Sequence, residues 1–238
     1  MKIGSKKICL WLVSLMLVCS AVAMTGCSSA TADPTKQAAA EQALADGNAK
    51  FIAGDFTPLT SNSSKTVMAD LAKNGQQPLT IVLTCSDSRV PPEILLNKGL
   101  GELFVIRVAG NVVDKHQLGS IEYAIEHLKS PVVLMVLGHS QCGAVKSTAE
   151  AVKTKAVINK DDNIGSILYK IKPAVDTAFK NYTGIDRLVD AAVDENVRIV
   201  AEELKTSSKI IEEAITSGQV KLLLKRYDLA SGKVTEVK

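Results

Sequence analysis

Three compact apolar runs dominate the middle of the chain: Leu79–Thr84, Leu103–Val108 and Val132–Leu137. They are continuous rather than alternating, as expected for strands buried on both faces of a parallel sheet. Between the second and third runs, Gly119–Leu128 sets Ile121, Ala124, Ile125 and Leu128 on one side of a helix. Ile164–Ala178 and Leu188–Leu204 also read as helices, and in the latter Val189, Val193, Val197, Val200 and Leu204 form one apolar face. Val220–Leu224 predicts a fourth strand, and Lys233–Val237 a short edge strand after the Ser231-Gly232 turn. Upstream, the Ala-rich stretch Gln37–Ala53 predicts a helix ending near Gly54. A loop over Ser61–Ser64 follows, then a short helix over Val67–Lys73 stopped by Asn74-Gly75. This alternation predicts an α/β domain: a central, mostly parallel sheet of about four strands plus a short antiparallel edge strand, flanked by helices. There is no internal repeat.

The apolar run at the start of the chain is of another kind. Lys2, Lys6 and Lys7 precede Ile8–Ala23, which is interrupted only by Ser14 and Ser20. That run is short for a spanning helix, which needs roughly 20 apolar residues, and reads as an export signal. Met24-Thr25-Gly26-Cys27 is similar to a lipobox, with Cys27 as the lipidated residue, although Met24 departs from the usual Leu. Ala21-Val22-Ala23 offers the rival reading, an ordinary A-x-A cleavage site. The expected organisation is a signal segment over 1–27, a small polar tether over 28–36 and one domain over 37–238. The destination is then outside the cytoplasm, either anchored to a membrane by lipid at Cys27 or soluble and secreted. The signal also explains the formal charge of +3: its three lysines removed, 25 basic residues face 25 acidic ones. Those basic residues are scattered among acids with no aromatic-plus-Arg surface, which excludes a nucleic-acid partner.

Of the five cysteines, Cys9 and Cys19 fall in the signal and Cys27 is the lipidation candidate, so only Cys85 and Cys142 belong to the domain. In an oxidising compartment two cysteines could form a single disulfide. Their neighbours suggest a metal instead. Cys85-Ser86-Asp87-Ser88-Arg89 follows the first apolar run, and His139-Ser140-Gln141-Cys142 follows the third. Both therefore sit at carboxyl ends of predicted strands, where open α/β sheets bind ligands. Two thiolates and one imidazole are a soft set suited to zinc, and three protein ligands leave a fourth tetrahedral position for chemistry. The H-x-x-C spacing would let His139 and Cys142 face one point on a helical turn, with Gly138 and Gly143 allowing a tight strand-to-helix turn. Asp87 and Arg89 make either a surface ion pair worth ~0–1 kcal/mol or a bidentate pair that orients Asp87 for catalysis.

C-x-D-S-R followed by H-x-x-C resembles the β-class carbonic anhydrases. The likeness is strong over Gly75–Ala151. It includes Gly101-Glu102-Leu103-Phe104, Arg107-Val108-Ala109-Gly110-Asn111 and Gly119-Ser120-Ile121-Glu122-Tyr123-Ala124, and continues weakly through Arg226-Tyr227-Asp228-Leu229-Ala230-Ser231-Gly232. The resemblance implies one Zn²⁺ per subunit on Cys85, His139 and Cys142, reversible hydration of CO₂ to bicarbonate, and a homodimer or higher homo-oligomer. It implies that Asp87, held by Arg89, accepts a hydrogen bond from the attacking water, or swings onto the metal and closes the site. Gln76 would hydrogen-bond substrate oxygen, while Phe104 and Tyr123 would line an apolar CO₂ pocket. These three residues match the plant-like, open form of the site. In the other form a tryptophan stands three residues before the first cysteine, where this chain has Val82. Leu223-Leu224 departs from the family's usual Gly-Ala pair. Two further readings remain: a CS₂ or COS hydrolase on the same scaffold, and a non-catalytic zinc-binding surface lipoprotein. The proton acceptor is not evident; His116 is one candidate, or simply a loop histidine.

Overall fold

The structure, a computed structural model, describes residues 33–182 and 184–238. The signal segment with Cys27, and residues 28–32 of the expected tether, lie outside the described residues. Helix α1 (Pro34–Ile52) begins inside the stretch read as tether. The Asp33 carboxylate accepts from the Thr35 N–H, and Pro34 occupies the first turn, two signals that start a helix. After α1 come α2 (Thr57–Ser61), α3 (Lys65–Asn74), β1 (Thr80–Thr84), α4 (Pro92–Leu95) and β2 (Leu103–Arg107). A 3₁₀ turn (Ala109–Asn111) leads to α5 (Lys115–Tyr123), which continues as one π-helical turn (Ala124–Leu128). The chain then runs through β3 (Val133–His139), α6 (Gly143–Thr154), α7 (Asn163–Asn181), α8 (Ile185–Ser207), α9 (Lys209–Thr216), β4 (Lys221–Tyr227) and β5 (Val234–Glu236).

The five strands form one sheet in the order β2-β1-β3-β4-β5, parallel except for the antiparallel β4–β5 pair. The expected fold class is the observed one. Every residue of β1 and β3 is buried, which is why their sequences are continuously apolar. One face of the sheet packs Ile81, Leu83, Leu134 and Val136 against Ile121, Ala124 and Ile125, and against Val197, Val200 and Leu204 of α8. The other face packs Val82, Met135 and Leu223 against Ala40 and Leu44 of α1, Leu95 of α4 and the following Leu96. Leu223, one of the departures from the family pattern, is therefore a core residue under α1. Strand β4 runs three residues beyond the predicted Leu224. Lys225, Arg226 and Tyr227 pair with Leu137, Gly138 and His139 in register, and Arg226 reaches Asp190 (3.0 Å) and Asp194 (3.6 Å) on α8. No described helix is long and apolar enough to cross a membrane.

Gly138 has a packing role rather than a turn-forming one. A Cβ placed there would lie 2.7 Å from Val197 Cγ2 and 3.1 Å from Val193 Cγ1, both on buried side chains of α8. Gly138→Ala is expected to destabilise the fold by about 1–3 kcal/mol through overpacking. Chemical denaturation of the purified variant measures this; an unchanged midpoint and slope would show that α8 can yield.

Candidate active site

Cys85 is the first residue after β1, His139 the last of β3, and Cys142 caps the N-terminus of α6. Because β1 and β3 are parallel neighbours, their carboxyl ends lie side by side, and the Thr84 hydroxyl ties them by donating to the Leu137 carbonyl at 2.8 Å. The ligand atoms of Cys85, His139 and Cys142 all lie within 4.8 Å of one another, and all three residues are buried. The two thiols are free rather than joined.

The H-x-x-C segment is not a helical turn. Gln141 adopts φ 54°, a left-handed conformation, and Cys142 is extended (φ −63°, ψ 122°) before α6 starts. Strand, reversed turn and helix start therefore bring His139 and Cys142 to one point. The Ser140 N–H donates to the Tyr227 carbonyl (2.9 Å), and the Ser140 hydroxyl accepts from the Leu229 N–H (2.9 Å), fixing the turn to the end of β4.

His139 is fully buried. Its Nδ1 lies 2.9 Å from the Ser140 carbonyl, an acceptor, so Nδ1 carries the proton. That leaves Nε2 as a lone pair, and it is buried without a partner. An orphaned imidazole nitrogen beside two thiols matches what a metal would occupy. The soft S₂N set suits zinc.

The thiols are electrostatically prepared. Hydrogen bonding from Cys142 holds the Cys85 thiol down to about 4 against the effect of burial. The backbone N–H groups of Asp87 and Gly110 add to the lowering. Cys142 is pushed up in turn by its hydrogen bond to Cys85 and by burial. Both sulfurs would ligate a metal as thiolates, so binding would release whatever protons the pair carries.

Asp87 is gripped by Arg89. The Arg89 Nε donates to Asp87 Oδ1 (2.9 Å), one terminal N–H donates to Oδ2 (2.7 Å), and the Arg89 backbone N–H donates to Oδ1 (3.0 Å). The Arg89 side chain, first of these influences, holds the Asp87 carboxyl well below the usual carboxylate range despite burial. Asp87 Oδ2 lies 3.9 Å from His139 Nε2, at the edge of the ligand group without belonging to it.

Several contributors had no role in the sequence reading. Arg107 donates to the Cys85 carbonyl (3.1 Å) and to the Asp87 carbonyl (2.6 Å), pinning the loop that carries both side chains. The Gly110 N–H donates to Cys85 Sγ (3.3 Å). Arg107 and Gly110 both fall in a segment quoted for its resemblance, but only the fold shows what they touch.

A family model described as carbonic anhydrase matches residues 80–234. The chain is 38% identical over 196 residues to a carbonic anhydrase of Mycolicibacterium smegmatis, covering 82% of this chain and 91% of that protein. It is 26% identical to the β-carbonic anhydrase CcaA, with a TM-score of 0.62, covering 82% of this chain and 86% of that one. The chain belongs to the β-class carbonic anhydrase family. One of two β-carbonic anhydrases of Sordaria macrospora, described as tetrameric, is also similar: 25% identity, TM-score 0.60, 71% of this chain and 85% of that one. Reversible CO₂ hydration is the general reaction of carbonic anhydrases, and β-class members use zinc, for which the cluster of Cys85, His139 and Cys142 is a possible site.

Gln76, Phe104 and Tyr123 lie elsewhere in the chain. Phe104 pairs with Ile81 near the start of β1, whereas Arg107 pairs with Thr84 at its end. At about 3.3 Å per residue, Phe104 is set back roughly 10 Å along the sheet from that end. Gln76 precedes β1 and is exposed. Tyr123 is 50% exposed, and its ring lies 6.5 Å from that of Phe104 and 5.0 Å from that of His127. Phe104, Tyr123 and His127 thus form an aromatic platform beside the edge strand β2, while the metal ligands gather at the carboxyl end of β1 and β3. His116 lines a separate groove of about 440 Å³ with Val108, Val112 and Tyr169.

Proposed function

We propose that this chain hydrates CO₂ reversibly, CO₂ + H₂O ⇌ HCO₃⁻ + H⁺, with zinc held by Cys85, His139 and Cys142. The observation that carries the proposal is the partnerless, buried Nε2 of His139 beside two thiols, with an Arg89-locked carboxylate 3.9 Å away. Zinc, when bound, supplies the Lewis acidity that makes water a nucleophile near neutral pH, an effect for which zinc carbonic anhydrases are the reference case. The protein's own groups do the rest. Asp87 stays ionised and keeps acceptor capacity on Oδ2, so it can take a hydrogen bond from the attacking water and orient it. Arg89 and Arg107 prevent Asp87 from drifting. The same grip favours the open, plant-like form of the site over one closed by Asp87, and Val82 in place of tryptophan agrees with it.

Gln76, Phe104 and Tyr123 fit this reaction as groups supplied by a second copy. Their own metal ligands lie at the other end of the strands, and β2 is an edge strand whose outer side no described strand pairs. The tetrameric relatives support an oligomer. Across such an interface Gln76 would meet substrate oxygen, and Phe104 and Tyr123 would exclude water from CO₂. His127, whose ring lies 5.0 Å from that of Tyr123, would arrive with them. Export, with Cys27 as the lipid-bearing residue, rests on the signal segment alone.

The test is a stopped-flow assay of CO₂ hydration on the zinc-loaded protein, run beside sulfide release from CS₂ and COS. CO₂ should be the preferred substrate by orders of magnitude. Faster turnover of CS₂ or COS would move the chain to the hydrolase reading. Stoichiometric zinc with no turnover of any of the three would leave only a zinc-binding surface protein.

A further inference from the structure

Asn196 is an unexpected residue on α8. Its neighbours along the same helix, Val193, Val197 and Val200, form an apolar face, and Asn196 is itself only 1% exposed. Its Nδ2 donates to the Gly110 carbonyl at 2.9 Å across 86 residues of sequence. Its Oδ1 is buried with no partner. A half-satisfied buried amide costs stability that a leucine of similar size would not. Packing therefore does not account for it.

Gly110 connects Asn196 to the ligand group. It sits in the middle of the Ala109–Asn111 turn with φ 67° and ψ 15°, a left-handed conformation that glycine reaches without strain. Its carbonyl is held by Asn196, and its N–H donates to Cys85 Sγ at 3.3 Å. The two peptide groups flanking the Gly110 Cα can turn about soft torsions. Fixing one of them from a rigid helix of the core fixes the aim of the other. Ile171 closes the remaining side: a Cβ on Gly110 would lie 2.6 Å from Ile171 Cδ1.

We infer that Asn196 is a positioning residue for the metal site, acting through Gly110 to hold an N–H···S hydrogen bond on the Cys85 sulfur. The inference rests on the reading of Cys85, His139 and Cys142 as metal ligands. A hydrogen bond to a ligating thiolate withdraws electron density from sulfur and preorganises its direction. Outer partners of this kind typically change metal affinity about 10–100-fold.

The test uses the full chain with Asn196→Leu, and Val200→Ala as a control that wounds the same helix in the sheet-facing core at a residue that cannot hydrogen-bond Gly110. Cobalt(II) replaces zinc as a spectroscopic probe, and metal affinity is measured by chelator competition alongside the melting temperature of the metal-free protein. Asn196→Leu should weaken zinc binding about 10–100-fold and move the sulfur-to-cobalt charge-transfer band to lower energy, because the sulfur lone pairs rise when the N–H is lost. Val200→Ala should lower the melting temperature while leaving band and affinity in place. Should Asn196→Leu fail to fold, Asn196→Ser makes the same comparison with a smaller lesion. Affinity within about threefold of the parent and an unmoved band would overturn the inference, as would identical changes in Val200→Ala. If the parent protein itself fails to bind zinc or cobalt, the ligand reading falls, and this inference with it.

Discussion

Asp87→Asn should reduce CO₂ hydration by about 10²- to 10³-fold while leaving zinc content unchanged. The substitution keeps the shape of the side chain and removes its charge. Asparagine has one acceptor oxygen where Asp87 uses both, taking three hydrogen bonds from Arg89, so either the pair with Arg89 or the contact with the attacking water must be lost. A loss of that size corresponds to about 2.7–4 kcal/mol of transition-state stabilisation. The metal ligands are untouched, since Asp87 lies outside the group formed by Cys85, His139 and Cys142. Stopped-flow hydration and zinc analysis on the same sample provide the check. A zinc-replete variant with more than about a third of parent activity would remove Asp87 from the mechanism. The pH dependence follows from the same contacts. A carboxyl whose folded value is depressed stabilises the fold above its unfolded value of ~3.9, and that contribution fades only as pH falls through the lower folded value. Asp87 is therefore ionised throughout the neutral range, and any acid limb in activity above about pH 5 belongs to another group.

The second large effect concerns the oligomer. Two inactive variants, Asp87→Asn and the double variant Gln76→Ala/Tyr123→Ala, should restore each other when refolded together. The double variant is expected to lose on the order of 10²-fold through misplacement of substrate, with little cost to folding, because Gln76 and Tyr123 are both exposed in one copy. If each site takes its metal ligands from one copy and its platform from the other, a mixed dimer holds one doubly damaged site and one intact site. Random pairing makes about half the dimers mixed, so roughly a quarter of parent activity should return. Sites complete within one chain would yield only the average of two inactive proteins. This experiment is decisive because the platform and the metal ligands lie at different places along the sheet: Phe104 pairs beside Ile81, and Cys85 follows Thr84.

Much of the fold could be read from local pattern. The runs that became β1, β2 and β3 were continuous because two of those strands are buried on both faces, and α8 announced itself by one apolar stripe. The short elements α2 and α4 left weaker marks, since helices of four or five residues depend on caps and packing more than on periodicity. The extension of β4 through Lys225 and Arg226 was hidden because polar residues there are held by the ladder to β3 and by carboxylates of α8, contacts remote in sequence.

The same division holds for the site. The sequence alone determined the donor types, their order and their attachment to strand ends, because Cys, His, Asp and Arg carry their chemistry wherever the backbone puts them. Only the tertiary structure decided that Nε2 rather than Nδ1 of His139 is the free nitrogen, since the Ser140 carbonyl sets the tautomer. It also showed that a left-handed Gln141, not a helical turn, brings His139 to Cys142. The roles of Arg107, Gly110 and Asn196 were invisible beforehand for the same physical reason. A hydrogen bond depends on distance and direction between groups, and residues 86 positions apart acquire both only when the chain has folded.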